Sequence, residues 1–316
     1  MAKVTVVPLA DQVTISVLID DFLMSCRARG LTKSTVENGY SYALRRLFLP
    51  WCKARGVGCV PELSRRDIDD FSVYLREQAG TKGKLSTNTI HTYSRAIRGF
   101  LPWCEREGEG EAPKPSLPRL PRKVIDVLTR EEIDRMEDVA ASERDKLAVR
   151  ILGDCGVRAS ELCRLTPDDL VRRDSQTYLH INGKGARERL VPIMPRLFRR
   201  LERYSSRGRP RGCESSRIFV GLRRGLSGEY EPLQVSGLRQ MISGLAYRAG
   251  IDKRTYTHLL RHSFITNALR DGMSPLLVAQ IAGHSSLKML EMHYSHLNMQ
   301  DAYKAMTHLM LKDRVD

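Results

Sequence analysis

Six residues in the second half of the chain could do chemistry together: Arg158, Lys184, His258, Arg261, His284 and Tyr294. Tyr294 sits in GHSSLKMLEMHYSHL, residues 283–297, ten positions after His284. A phenol has a pKa of about 10 and attacks nothing at neutral pH unaided. If its target were a phosphodiester, the transition state would be pentavalent and strongly anionic. Fixed positive charge aimed at the non-bridging oxygens would stabilise it. Arginine suits that task, because its planar fork grips two oxygens and keeps its charge. The leaving oxygen needs a proton, and the phenol must lose one.

The local sequence says how these groups could be presented. GDCGVRASELCRL places Arg158 at a glycine-preceded turn entering a helix, with Glu161 three residues on. THLLRHSF puts His258 and Arg261 at i and i+3, on one helix face. Two β-prone runs flank Asn182-Gly183 in TYLHINGKGARERLVPI, a hairpin signal with Lys184 at the tip. IAGHSS sets His284 after a helix-ending Gly283. Thr129 with Glu132 forms a capping box opening VLTREEIDRM, and Ser274-Pro275 opens a later helix. Taken singly, a helical arginine is ordinarily a solvated residue and a buried histidine an ordinary core group. The order and context of the set carry the reading.

The elements fall into two halves. Gly108–Arg122 reads GEGEAPKPSLPRLPR, whose glycines and four prolines exclude helix and strand. We expect domains at 1–107 and 125–316, joined by a linker at 108–124. The first half holds a near repeat: YSYALRRLFLPWC at 40–52 and YSRAIRGFLPWC at 93–104. Each follows a Ser-Thr pair able to cap a helix, Ser34-Thr35 and Ser86-Thr87. Pro50 and Pro102 should kink or end their helices. This predicts a small all-helical domain of about four helices, with Trp51 and Trp103 in its core. The second half is mixed, helix-rich with a short β element. The fold class is thus mainly α with a small β-sheet or hairpin.

The chain has 316 residues and a formal net charge of +15. Residues 1–110 carry 16 Lys+Arg against 12 Asp+Glu, and residues 111–316 carry 36 against 25, so the half with Tyr294 is the more basic. Such an excess points to a polyanion, nucleic acid before membrane. No run of 18 apolar residues occurs, and the N-terminus lacks the apolar core of a signal peptide. Seven scattered cysteines without a CxxC suit reduced thiols in a cytoplasm.

Arg158, Lys184, His258-x-x-Arg261, His284 and Tyr294, in that order and in these phrases, resemble the active site of the tyrosine recombinases, the phage-integrase family. The resemblance runs over residues 125–300. The first half resembles, more loosely, the family's SAM-like helical core-binding domain. The resemblance implies that Arg158 and Arg261 clamp the scissile phosphate and that His258 bonds it and assists proton transfer at the tyrosine. Lys184 would protonate the leaving 5′-hydroxyl, His284 would donate to a non-bridging oxygen, and Tyr294 would form a 3′-phosphotyrosyl link. Glu161 would orient its neighbours. No metal or other cofactor is implied, since the covalent link conserves the phosphodiester energy. The implied partner is a double-stranded DNA recombination site, bound by a tetramer that exchanges strands through a Holliday junction. Off DNA the chain would be a monomer or weak oligomer, and an accessory DNA-bending or directionality factor could take part. The setting would be a prokaryotic cytoplasm, at the nucleoid, in DNA integration or excision.

Two departures stand out. Ala282 replaces a commoner leucine, and the ten-residue interval from His284 to Tyr294 exceeds the usual nine. An extra residue turns a helical side chain by about 100°. Tyr303 is the alternative nucleophile. These departures point away from a chromosome-dimer resolvase. With about ten residues before the first helix, no separate arm-binding domain is expected, which suggests a simple-site recombinase. The rival readings are a type IB topoisomerase-like nicking-closing enzyme and a catalytically silent DNA-binding relative.

Further basic residues are candidates for DNA phosphate: Arg45, Arg46, Arg95 and Arg98 in the repeats, and Arg207, Arg209 and Arg211 in the loop SSRGRPRG that follows the helical RLFRRLERY. His258 and His262 form an HxxxH pair, but no third protein ligand presents itself for zinc. Ala302, Met306, Leu309 and Met310 fall at helical spacing near the C-terminus, and the resemblance implies a helix there that docks on a neighbouring subunit.

Overall fold

The computed structural model describes residues 13–77, 83–111, 113–120, 126–183, 188–284 and 287–290. The chain divides into two compact units, Met1–Arg122 and Lys123–Asp316.

The first unit is helical throughout. Helix α1 spans Ile15–Ala28. A π-wound segment, Thr35–Phe48, runs directly into α2, Leu49–Ala54; α3 spans Arg65–Glu77 and α4 Thr87–Arg106. Ser86 caps α4 as expected, its hydroxyl accepting from the Thr89 amide. Ser34 does not cap. It already has helical dihedrals, and Thr32 Oγ1 accepts from the Thr35 amide instead. Neither proline ends its helix. Pro102 lies inside α4, flanked by buried Leu101, Trp103 and Cys104, whose burial offsets the one lost backbone bond. Pro50 falls in the first turn of α2, where the wider π winding gives way to α winding and the ladder changes register.

Both Leu-Pro-Trp-Cys repeats turn inward. Trp51 and Trp103 are 8% and 7% exposed, and Cys52 and Cys104 are fully buried. They join Phe22, Phe48, Phe71 and Phe100 in edge-to-face contacts such as Phe48–Phe71, centroids 5.1 Å apart. Such pairs add about 0.5–1.5 kcal/mol beyond area burial. Residues 113–120 have no regular structure but lie along this unit: Arg65 donates to Lys114 O and Ser116 Oγ, and Lys114 pairs with Glu105.

The second unit opens with α5, Arg130–Asp138, on the complete Thr129/Glu132 capping box. Helix α6, Glu143–Cys155, ends at Gly156 with φ +61°, and a Cβ there would stand 2.2 Å from Phe264. Glycine is required for both reasons. A single turn, α7 (Ala159–Leu162), precedes an antiparallel sheet of β1 (Leu170–Arg173), β2 (Gln176–Asn182) and β3 (Glu188–Pro192) in that order. The sequence showed only the hairpin of β2 and β3. β1 joins β2 through Asp174 and Ser175, both at positive φ, a pair that carries the primed-turn conformation without its usual Asn-Gly. Asn182 is itself a strand residue opposite Glu188, so Asn182-Gly183 is not a tight two-residue turn. Helix α8 (Pro195–Arg203) continues as a π turn, Tyr204–Gly208, where a loop was expected. Then come α9 (Val235–Arg248), α10 (Thr257–Arg270), α11 (Pro275–Ala282) and a 3-10 turn, Leu287–Leu290.

Alternation decides which side of the sheet faces inward. Leu179 and Ile181 of β2 are buried, and their partners across the ladder are Val191 and Arg189. Arg189 therefore lies on the inward face. Helix α10 is buried nearly all round: Leu259, Leu260, Arg261, His262, Ser263, Ile265 and Thr266 are all inside. Ser263 ties it to the start of the unit, donating to Leu259 O and accepting from the Leu128 amide. Among the described residues no helix is long and apolar enough to cross a membrane.

Candidate active site

The last turn of α11 is where the site is assembled. A helix leaves its final carbonyls without intrahelical partners, and its C-terminal end carries partial negative charge. Here three consecutive carbonyls each receive a different guanidinium. Arg189 Nε donates to Ile281 O at 2.7 Å. Arg261 Nη2 donates to Ala282 O. Arg158 Nη2 donates to Gly283 O at 2.9 Å. These arginines come from β3, α10 and the N-cap of α7, so the clasp joins four elements at one point. Arg261 also reaches Gly156 O across the end of α6.

Glu161 gathers two of the three. Its carboxylate is 3% exposed as a residue and accepts both arms of Arg189, at 3.0 and 2.8 Å. It also accepts from the Arg158 amide at 2.7 Å and from Arg158 Nη1 at 2.8 Å. Burial opposes its ionisation, but the Arg189 fork, the Arg158 amide and the guanidinium charges outweigh that and hold the carboxyl at about 2. Bidentate charge-assisted bonds of this kind are among the strongest a side chain makes.

Three guanidiniums against one carboxylate leave positive charge in excess, and the neighbouring groups register it. Arg261 is 2% exposed, and burial first, then the charge of Arg158, brings it down to about 9. His284 follows Gly283, which closes α11 at φ +66°. Loss of hydration and then the charges of Arg261 and Arg158 bring His284 down to about 4. His258, exposed at the start of α10, is lowered by partial loss of hydration, then by Arg261 and Arg158. Both imidazoles are therefore neutral at pH 7. An anion at this point would offset the part of each of these shifts that the guanidinium charges cause. The arrangement is that of an oxyanion receptor built before its ligand arrives.

The structure thus brings together Arg158, Glu161, His258, Arg261 and His284. Lys184 and Tyr294 lie outside the described residues, as do Tyr303 and the C-terminal stretch holding Ala302, Met306, Leu309 and Met310. The sequence reading missed Arg189. In ARERL it looks like one more charged hairpin residue, and the available signal was its spacing of two from Val191 on an alternating strand. His262 is buried on α10. Among the described residues no group of three His, Cys, Asp or Glu is placed to hold a metal.

The outlying arginines differ from one another. Arg46, Arg95, Arg98, Arg207 and Arg211 are exposed. Arg45 is exposed and paired with Asp20 at 2.6 Å. Arg209 is turned inward, contrary to expectation: its guanidinium donates to the carbonyls of Ser205, Ser215 and Arg217 and staples the loop on itself.

Residues 126–301 match the phage integrase family. The chain is 30% identical over 303 residues to tyrosine recombinase XerD of Oceanobacillus iheyensis, covering 91% of this chain and 97% of that protein. It is 29% identical to tyrosine recombinase XerA of Thermococcus kodakarensis, covering 91% and 93%. Its fold resembles XerH recombinase on palindromic difH DNA in a post-cleavage complex, with TM-score 0.69, 19% identity and coverage of 92% and 83%. It also resembles the Tn1549 transposon integrase with circular-intermediate DNA, with TM-score 0.67, 20% identity and coverage of 94% and 100%.

The chain belongs to the phage integrase family and is a tyrosine recombinase, an enzyme of site-specific recombination. The relatives named here are Xer recombinases.

Proposed function

We propose that this recombinase cleaves and rejoins duplex DNA through a 3′-phosphotyrosyl link to Tyr294. The observation that carries the reading is the guanidinium cluster at the end of α11, with its excess charge and its two neutral histidines. A scissile phosphate fits there. Arg158 and Arg261 would hold its non-bridging oxygens, and their bonds to Gly283 O, Ala282 O and Gly156 O fix the forks beforehand, so little reorganisation is needed at reaction. His284, neutral, would donate an N–H to the same phosphate. His258, also neutral, would accept the phenolic proton as Tyr294 Oη bonds to phosphorus. The P–O5′ bond breaks, and the 5′-oxygen takes its electron pair and a proton from Lys184. Reversal with a new 5′-hydroxyl restores the phosphodiester without an energy source.

The recombining assembly would be a tetramer on paired DNA sites. It would exchange one pair of strands and then the other through a Holliday junction, with the first unit contributing DNA contacts through Arg46, Arg95 and Arg98. The exposed loop arginines Arg207 and Arg211 would add phosphate contacts, while Arg209 is committed to its own loop.

The test is a nicked suicide duplex carrying a site that the protein selects from a randomised pool. The native chain should form an SDS-stable protein–DNA adduct, and Tyr294→Phe should form none. An adduct that survives this substitution moves the nucleophile elsewhere, to Tyr303 first. No adduct on specifically bound DNA supports the binding-only reading.

A further inference from the structure

Arg189 is the one member of the clasp with no role in the reading above. Its side chain is 10% exposed, and three donor positions are spent inside the protein: Nε on Ile281 O, Nη1 and Nη2 on the two oxygens of Glu161. With every nitrogen already on a protein oxygen, it is less available to a phosphate than Arg158 or Arg261. What it does have is one contact on each side of the site. On one side is Glu161, the carboxylate that orients Arg158 through both its amide and its guanidinium. On the other is the last turn of α11, two residues before Gly283 and three before His284.

The surroundings are shaped to this one side chain. A Cβ on Gly283 would lie 3.0 Å from Arg189 Cζ and Nη1 and 3.1 Å from Nε. The chain turns at Gly283 with the guanidinium packed directly against it, so glycine is needed there for clearance as well as for its φ of +66°. β3 presents Arg189 on the inward face opposite Ile181.

We propose that Arg189 is a positioning residue for strand cleavage: it sets Arg158, through Glu161, and His284, through the end of α11, at a fixed separation around the scissile phosphate. This rests on the phosphotyrosyl reading of the site. A lysine keeps the charge but has a single nitrogen, which cannot span Ile281 O and both oxygens of Glu161. Displacing a clamp by a fraction of its bond length is costly, because reacting groups out by 1 Å lose up to about 100-fold in rate.

The experiment compares the native chain with Arg189→Lys on the selected suicide duplex. It also follows the His284 ring by NMR in the free protein. The expected result is native-like folding and DNA affinity, adduct formation slowed about 10- to 100-fold, and ring resonances of His284 displaced as the end of α11 moves. A merely structural arginine would lower the melting temperature and leave the His284 resonances of the folded protein in place. Native adduct rates in Arg189→Lys, or a slowed rate with His284 unmoved, would overturn the proposal. If Arg189→Lys does not fold, Gly283→Ala crowds the same guanidinium with Arg189 present, and the same pair of shifts is expected of it. Native rate and native His284 resonances in Gly283→Ala would likewise overturn it. A native chain that forms no adduct sinks the phosphotyrosyl reading and this inference together; an adduct in the native chain with Arg189→Lys indistinguishable from it sinks this inference alone.

Discussion

The paired arginines on the first unit's helices and the site arginines of the second unit are held in opposite ways. In the first, charged contacts are exposed on both sides: Arg45–Asp20 at 2.6 Å with side chains 46% and 62% exposed, Arg27–Glu37 at 2.9 Å with 53% and 42%. In the second, Arg189 and Glu161 meet with side chains 10% and 2% exposed, and Arg158, Arg189 and Arg261 each also cap a backbone carbonyl. Wet single pairs contribute little and fade with salt. Buried multidentate pairs hold backbone and side chain in one arrangement, at the cost of stranding charge if one partner is lost. The first surface is free to meet a polyanion in many registers, whereas the second is committed to one geometry.

Substitutions can break this contrast at graded cost. Glu161→Ala should cost most, about 3–5 kcal/mol, because it leaves the buried Arg189 without its carboxylate and the partly exposed Arg158 without its orienting partner; urea unfolding of the second unit measures it, and a loss under 1 kcal/mol would contradict the account. Arg209→Ala should come next, about 1–3 kcal/mol, since three carbonyls lose their donor. Arg207→Ala, in the π turn just before it and exposed, should leave stability unchanged and lower only the salt dependence of DNA binding. Equal effects at 207 and 209 would remove the distinction. Arg45→Ala should cost least, below about 1 kcal/mol, and less still at high salt.

The same contrast explains what the sequence could and could not tell. Features set by local rules were legible: the Thr129/Glu132 box, the Ser86 cap, the Pro275 helix start, the core tryptophans of the repeat and the hairpin partners of β2 and β3. So were residues fixed by their phrase, such as Arg158, Arg261 and His284, which the fold brings to one helix end from positions over a hundred residues apart. Features decided by tertiary packing were not. Pro102 looked like a breaker, but the buried residues beside it keep α4 continuous. Ser34 looked like a cap, but Thr32 reached the orphan amide first. Arg189 and Arg209 looked like solvent-facing charge; the first is drawn in by strand alternation and Glu161, the second by carbonyls of its own loop.

The acid limb of stability should carry the imprint of the site. His284 has a folded pKa near 4 against 6.5 unfolded, so the unfolded chain takes up the proton first. The stability this ring contributes is complete above about 6.5 and drains away as pH falls from there toward 4. Glu161, at about 2 against an ordinary 4.5, contributes fully above 4.5 and is lost as pH falls toward 2. Melting temperatures of the second unit should therefore decline in two successive stages below pH 7.

The most direct test of a preformed anion site is the titration of His284 in the free protein, followed by NMR of its ring protons. Burial of the ring, and then the guanidinium charge around the end of α11, predict a midpoint near 4, well below an ordinary histidine. A midpoint near 6.5 would mean that the ring is neither buried nor beside the arginines in solution, and the receptor geometry would be wrong.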